Sequence, residues 1–206
     1  SLKKIHKDLK FTFIINSSDA SKYFVDNVIR LAVGSECNII KLDKQTQGAA
    51  ASVLMAIEHI DNEDELIVTN YDQLINSDIS SFINSARKQN VDSFVLCFES
   101  IHPRWSFVRL DKDENIVETS EKRPISNKAI AGFYYFKKGK EFVLGVMEMI
   151  KKEAHVNGAY FTAPVLNELV LQNKKIKQFP INKDDYHSFY SPSLIDKYIQ
   201  KVKNGN

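Results

Sequence analysis

The sequence predicts a three-layer α/β fold: a mixed, mainly parallel sheet with helices on both faces. Three observations lead there. Short apolar runs alternate with segments of helical period along the first half of the chain. Runs such as Phe94-Val95-Leu96-Cys97-Phe98 are apolar at every position, as in strands buried on both faces. The 206 residues, 43% of them hydrophobic, suffice for one domain with a real core. We therefore expect residues 1–206 to form a single domain.

Each element has a reason. Residues 11–16 read as a strand. Residues 19–33 read as a helix, with Phe24, Val28 and Leu31 at helical spacing and Gly34 as its stop. Residues 37–42 form a second strand. Residues 47–60 form a helix with Ala50, Val53, Leu54 and Ile57 on one face. A third strand covers 65–69, a helix 78–89 and a fourth strand 91–98. The alternation implies βαβ units. Then the pattern changes: residues 106–110 and 116–120 read as a hairpin around the polar loop 111–115, and 131–136 as another strand. Helices over 141–152 and 160–172, a strand over 175–181 and a helix over 193–203 complete the chain.

Composition excludes several classes. Net charge is +2, from 28 basic and 26 acidic residues, with no basic stripe of the kind that binds nucleic acid. The lysine pairs are short and scattered, as on solvated helix ends. No apolar stretch approaches the ~20 residues of a membrane span. Residues 1–10 are polar and basic, without the apolar core of a signal peptide. The two cysteines, Cys37 and Cys97, lie in strand-like segments. They read as reduced, packed side chains, neither a disulfide framework nor a zinc site. A cytoplasmic protein with no nucleic-acid or membrane partner is expected.

Asp72 offers the most chemistry. It follows the apolar run Leu66-Ile67-Val68-Thr69 within Thr69-Asn70-Tyr71-Asp72-Gln73. In open α/β sheets, ligands sit beyond the carboxyl ends of the strands. A carboxylate there can hold Mg²⁺, which can hold phosphates; equally, Asp serves caps and turns. The loop His102-Pro103-Arg104-Trp105 offers two more groups. Arg104 can reach a phosphate, and Trp105 can stack on a ring or anchor the loop. Glu121-Lys122 reads by itself as an exposed charged turn. Gly132 reads as a strand glycine at a bulge or tight contact, and Asn157-Gly158 as a turn.

Five segments in order carry a resemblance. They are Thr46-Gln47-Gly48-Ala49-Ala50-Ala51-Ser52-Val53, Asn70-Tyr71-Asp72, Glu121-Lys122-Arg123-Pro124, Ala131-Gly132-Phe133-Tyr134-Tyr135-Phe136 and Val156-Asn157-Gly158-Ala159-Tyr160. Together, over residues 11–201, they resemble the sugar-phosphate nucleotidyltransferases, or sugar-nucleotide pyrophosphorylases, of Rossmann-like, GT-A-like fold. The likeness is greatest to small bacterial members found with surface-polysaccharide genes. The resemblance implies transfer of a nucleoside monophosphate from an NTP to a sugar 1-phosphate, with Mg²⁺ as cofactor. It implies roles as well. Gln47, Gly48 and Asn70 would lie at the nucleotide, with Gly48 letting backbone approach the base. Asp72 would hold Mg²⁺, and Lys122 would neutralise the sugar phosphate. Glu121, Gly132 and Asn157 would serve the sugar. Arg104 and Trp105, from their place on the loop, are further candidates to bind the substrate.

The chain departs from that family's pattern in three ways. Its seven glycines, at 34, 48, 132, 139, 145, 158 and 205, form no glycine-rich phosphate loop. The resemblance places that loop upstream of residue 1, with residues 1–10 as the end of the helix after it. We therefore expect an N-terminally incomplete domain, weakly active or inactive alone, whose open sheet edge favours a homodimer. The family's closing Trp-Gly-x-Gly-Thr-Pro turn becomes His187-Ser188-Phe189-Tyr190-Ser191-Pro192, which leaves Asp184 or Asp185, here Asp185, as a second metal ligand. Tyr71 stands where the family has a small residue. A GT-A-type glycosyltransferase, or a non-catalytic module that binds a sugar nucleotide or a partner, is the alternative.

Overall fold

The computed structural model describes residues 9–204. The helix end expected over residues 1–10 thus lies almost wholly outside the described residues. In chain order the elements begin with β1 (Thr12–Asn16), α1 (Ser17–Tyr23), α2 (Val25–Val33), β2 (Asn38–Leu42), α3 (Ala49–Leu54) and α4 (Ile57–Ile60). There follow β3 (Leu66–Thr69), β4 (Gln73–Ile75), α5 (Ile79–Gln89), β5 (Ser93–Glu99), β6 (Ser106–Leu110), β7 (Ile116–Glu121) and β8 (Lys128–Phe136). The rest are α6 (Gly139–Lys151), α7 (Thr162–Leu171), β9 (Ile176–Pro180), β10 (Tyr186–Ser188) and α8 (Pro192–Lys203). This is the mixed α/β class that the sequence predicts, a central multi-strand sheet flanked by helices. The chain divides into two compact units, residues 1–66 with 136–174 and residues 67–135 with 175–206.

In the first unit β1 and β2 run parallel, Thr12 opposite Asn38 and Asn16 opposite Leu42. The crossover between them holds two helices where the periodicity predicts one. Phe24 breaks it, in the left-handed region at φ 53°, and its N–H closes α1 on the Ala20 carbonyl at 3.0 Å. Bulky residues rarely adopt that conformation, and no Gly or Pro marks the place, so the sequence conceals the break. Phe24, Val28 and Leu31, the apolar stripe of the predicted helix, are 62%, 59% and 88% exposed. The predicted helix over 47–60 also divides, into α3 and α4. At the joint the Ala56 N–H reaches back three residues, to Val53 at 2.9 Å, which tightens the turn. The core of this unit lies where α6 packs on α7. Phe142, Val146 and Met149 there are buried with Val165, Leu166 and Leu169.

The second unit carries a six-stranded sheet in the order β7-β6-β8-β5-β9, with β3 also paired to β8. It is mixed: β5 and β9 are parallel, while β6 is antiparallel to both β7 and β8. α5 covers it. Phe82 from that helix meets Phe94 at 5.1 Å and Phe133 at 5.3 Å between ring centroids, and Phe179 at 5.9 Å. Phe82, Phe94 and Phe133 are buried, and each such ring contributes about 1.5–3 kcal/mol. Asp78 starts α5 by accepting the Ser80 N–H at 2.9 Å. A second, two-stranded ribbon pairs β4 with β10 antiparallel, and the sequence did not predict it.

Cys37 and Cys97 are both free and buried, as expected. Burial pushes the Cys97 thiol far above its ordinary value. The thiolate is the reactive form, so an aromatic disulfide reagent should leave Cys97 unlabelled at pH 8 until denaturant is added. Rapid labelling of Cys97 in the native protein would overturn this. No helix among the described residues is long and apolar enough to cross a membrane.

Candidate functional site

In the first unit a cavity of about 590 Å³ opens at the carboxyl ends of β1 and β2. Asn16 and Leu42 end the two strands there, and Gln47, Gly48 and Ser52 form the opposite wall with Gly158. The concavity lies where parallel α/β strands place ligands. Thr46 and Ser52 hydroxyls meet at 2.5 Å, and the Ser52 hydroxyl donates to the Gly48 carbonyl at 3.2 Å, which ties the loop to the first turn of α3. Gly48 is at φ 105°, and a Cβ there would lie 2.5 Å from the Tyr160 carbonyl oxygen. The glycine thus admits the backbone of residue 160, which donates to the Gln47 carbonyl at 2.7 Å. Asn157 and Gly158 form the tip of a tight hairpin, at φ 50° and 78°, flanked by mutual Val156–Ala159 bonds of 2.9 and 3.0 Å. Both positive angles are what an Asn-Gly pair adopts in a two-residue hairpin turn. Of the pair, Gly158 lines the cavity.

In the second unit Asp72 ends the β4–β10 ribbon. Its carbonyl accepts the Phe189 N–H at 2.7 Å, and its side chain is half-buried. Among the described residues none hydrogen-bonds its carboxylate. The neighbouring Tyr186 phenol is pushed up to about 12, first by burial and then by the Asp72 carboxylate, with Arg104 opposing. Asp185 sits at the other end of the same ribbon, its carbonyl accepting the Asn76 N–H at 2.8 Å. Four ladder steps of ~3.4 Å separate the two aspartates. Two ligands of one Mg²⁺ stand no more than about 4.2 Å apart, twice the ~2.1 Å metal–oxygen distance. Asp72 and Asp185 therefore cannot share an ion; the Asp185 carboxylate accepts the Ser77 hydroxyl at 3.5 Å instead. No cluster of three metal-ligating side chains occurs among the described residues. One carboxylate is still a fitting donor set for Mg²⁺, whose other ligands are commonly phosphates and water.

Glu121 and Lys122 stand at the end of β7. Ser106 lies opposite Glu121, and its hydroxyl donates to the Glu121 carboxylate. Lys122 turns the chain at φ 55°, and its N–H donates to the Trp105 carbonyl at 3.0 Å. The Glu121 carboxyl titrates above its ordinary 4.5, because burial raises it more than the Ser106 hydroxyl and the Lys122 ammonium lower it. Behind it, burial first and the Glu121 carboxylate second push the Tyr134 phenol far up. A raised carboxyl value means tighter proton binding in the folded state. The stability this lends is complete below the unfolded value and is lost as pH rises through the folded one. Ser106→Ala removes a donor to the charged form, so the Glu121 titration should move further upward. Carboxyl-carbon NMR titration checks this, and an unchanged or lower midpoint would refute it.

Gly132 was expected to make room for a sugar. At φ 59°, a Cβ would lie 2.5 Å from the Asn70 amide nitrogen and 3.0 Å from the Gln73 side-chain oxygen. The room is thus taken by the protein's own amides. The Asn70 N–H donates to the Gly132 carbonyl at 3.1 Å, and so does the Gln73 amide at 3.1 Å. Tyr186 completes the brace by donating to the Gln73 oxygen at 3.1 Å. Trp105 is edge-on to Phe98 at 5.4 Å and to Tyr186 at 5.6 Å, while Arg104 lies 4.3 Å over its ring. It anchors the loop and carries Arg104, the second of the two readings its sequence position allowed.

Sequence reasoning missed Ser106, Gln73, Tyr186 and Tyr190. The hairpin register was the available signal for Ser106. Counting back from the 111–115 loop pairs it with Ser120, one residue short, because a bulge between Arg109 and Leu110 shifts the ladder.

A profile of the nucleotidyl transferase family matches residues 6–180. A search of curated proteins finds no match. Among solved structures the chain is similar to the nucleoside-diphosphate-sugar pyrophosphorylase of Vibrio cholerae RC9, at 20% identity and a TM-score of 0.80, over 97% of this chain and 84% of that one. It is similar to a putative glucose-1-phosphate thymidylyltransferase of Bacillus anthracis, at 17% identity and a TM-score of 0.72, over 100% and 80% of the two chains. It is also similar to the inositol-1-phosphate CTP transferase of T. maritima, at 16% identity and 0.69, over 95% and 78%. At these identities the likeness is one of fold.

Proposed function

The chain belongs to the nucleotidyl transferase family, and from that premise we propose that it transfers a nucleoside monophosphate from an NTP to a sugar 1-phosphate. Its product would be a nucleotide-sugar for a bacterial surface polysaccharide, made in the cytoplasm where NTPs are available. The family match over residues 6–180 carries this reading. The cavity at the ends of β1 and β2, with the Gln47 and Gly48 wall, supports a nucleotide on the first unit. Asp72, Glu121 and Lys122 on the second unit support a phosphate and a sugar.

The chemistry asks little covalent work of the protein. An oxygen of the sugar phosphate bonds to the α-phosphorus, the bond from that phosphorus to the bridging oxygen breaks, and pyrophosphate leaves with the electron pair. Asp72 would hold Mg²⁺, which when bound neutralises phosphate charge and orients the phosphates. Lys122 would neutralise the attacking phosphate. Glu121, fixed by Ser106, would accept sugar hydroxyls. Gln47 would offer its amide to the base edge. The gain is from positioning and charge placement.

The test is pyrophosphate release by the full-length gene product across the four NTPs and a panel of sugar 1-phosphates, with and without Mg²⁺. Release with one preferred pair supports the proposal. No release with any pair would favour a binding module.

A further inference from the structure

We propose that Arg104, whose guanidinium lies over the rings of both Trp105 and Tyr190, is a second phosphate-binding residue beside Lys122 and grips the phosphate of the sugar 1-phosphate. The identity of the sugar phosphate rests on the function proposed above; the binding of an anion rests on the geometry alone.

The guanidinium carbon lies 4.3 Å from the Trp105 ring centroid and 3.6 Å from that of Tyr190. Contacts with two rings thus hold the guanidinium in place. A planar fork of fixed donors matches two phosphate oxygens, and stacking fixes the fork before a ligand arrives. Trp105 is itself immobilised by Phe98 and Tyr186. The other arginines of this hairpin differ. Arg109 and Arg123 both pair with Glu118, at 2.7 and 3.4 Å. Arg104 has no carboxylate partner among the described residues.

Its position fits the assignment. Ser106 lies opposite Glu121, so the chain just before Ser106 lies beside the chain just after Glu121. The Lys122 N–H bond to the Trp105 carbonyl at 3.0 Å fixes that juxtaposition. Arg104 and Lys122 therefore leave the same end of one hairpin.

The chain's single tryptophan is the reporter. The full-length protein and its Arg104→Gln, Arg104→Lys and Tyr190→Ala variants would be titrated with inorganic phosphate, glucose 1-phosphate and glucose. Trp105 fluorescence follows binding, and calorimetry checks it where a variant alters the emission. Phosphate and glucose 1-phosphate should bind saturably and glucose should not. Arg104→Gln should weaken both anions at least about tenfold, the scale of one charge-assisted hydrogen-bonded pair. Arg104→Lys should fall between, because it keeps the charge and loses the fork, and Tyr190→Ala should weaken binding by loosening the stack. Anion affinities of Arg104→Gln equal to wild type would overturn the proposal, more so if its melting temperature fell, since Arg104 would then be structural only. So would absence of anion binding by the wild type. Arg104-dependent phosphate binding without any pyrophosphate release would uphold this site and count against the transfer reaction.

Discussion

Asp72→Asn should reduce Mg²⁺-dependent pyrophosphate release by at least about 10²-fold and leave the fold intact. The substitution removes the one charge assigned to the metal and keeps the side-chain shape. Losses on the order of 10²–10³ in rate follow removal of a single group that stabilises transition-state charge. The fold should survive because the structural tie of this residue is its backbone carbonyl, bonded to the Phe189 N–H at 2.7 Å. A second measurement reports on the same charge without any turnover. Burial and the Asp72 carboxylate push the Tyr186 phenol up to about 12. Loss of the carboxylate should lower that value, seen as earlier phenolate absorbance on raising pH. Full activity in Asp72→Asn, or turnover indifferent to Mg²⁺, would remove Asp72 from the mechanism. An unmoved Tyr186 titration would deny its proximity.

Gly48→Ala should strongly destabilise the first unit. Its Cβ would lie 2.5, 2.7 and 2.9 Å from the carbonyl oxygen, nitrogen and carbonyl carbon of Tyr160. These are backbone atoms, and they are held on both sides. The Tyr160 N–H donates to Gln47 at 2.7 Å, and its carbonyl accepts from Ala50 at 2.9 Å. Rotation of a side chain cannot relieve the clash. Overpacking of this kind costs about 1–3 kcal/mol, and the φ of 105° adds strain of order 1–3 kcal/mol. A total on the order of 3 kcal/mol should lower the melting temperature by roughly 6–12 °C in a protein of this size. Because the same backbone forms the wall of the 590 Å³ cavity, NTP affinity should fall with it. Thermal unfolding followed by circular dichroism and NTP titration check the two effects. A melting temperature within about 2 °C of wild type would show that the loop yields more easily than this geometry allows.

The sequence by itself determined the α/β class, the order of strands and helices apart from β4 and β10, the buried cysteines and the place of Asp72 after β3. These follow from apolar periodicity and from short-range punctuation such as Gly34, and both are local properties of the chain. It also contained the Asn157-Gly158 turn, because few residue pairs tolerate two successive positive φ angles. Tertiary structure alone decided the rest. Phe24 splits a helix that its own periodicity supports. The β4–β10 ribbon joins residues more than a hundred positions apart, and that pairing sends Asp185 to the opposite end from Asp72. The room beside Gly132 went to Asn70 and Gln73, because a missing Cβ is filled by whatever the fold brings near. A single bulge between Arg109 and Leu110 set Ser106 against Glu121, since one extra residue in a ladder of period two moves every later pairing along it.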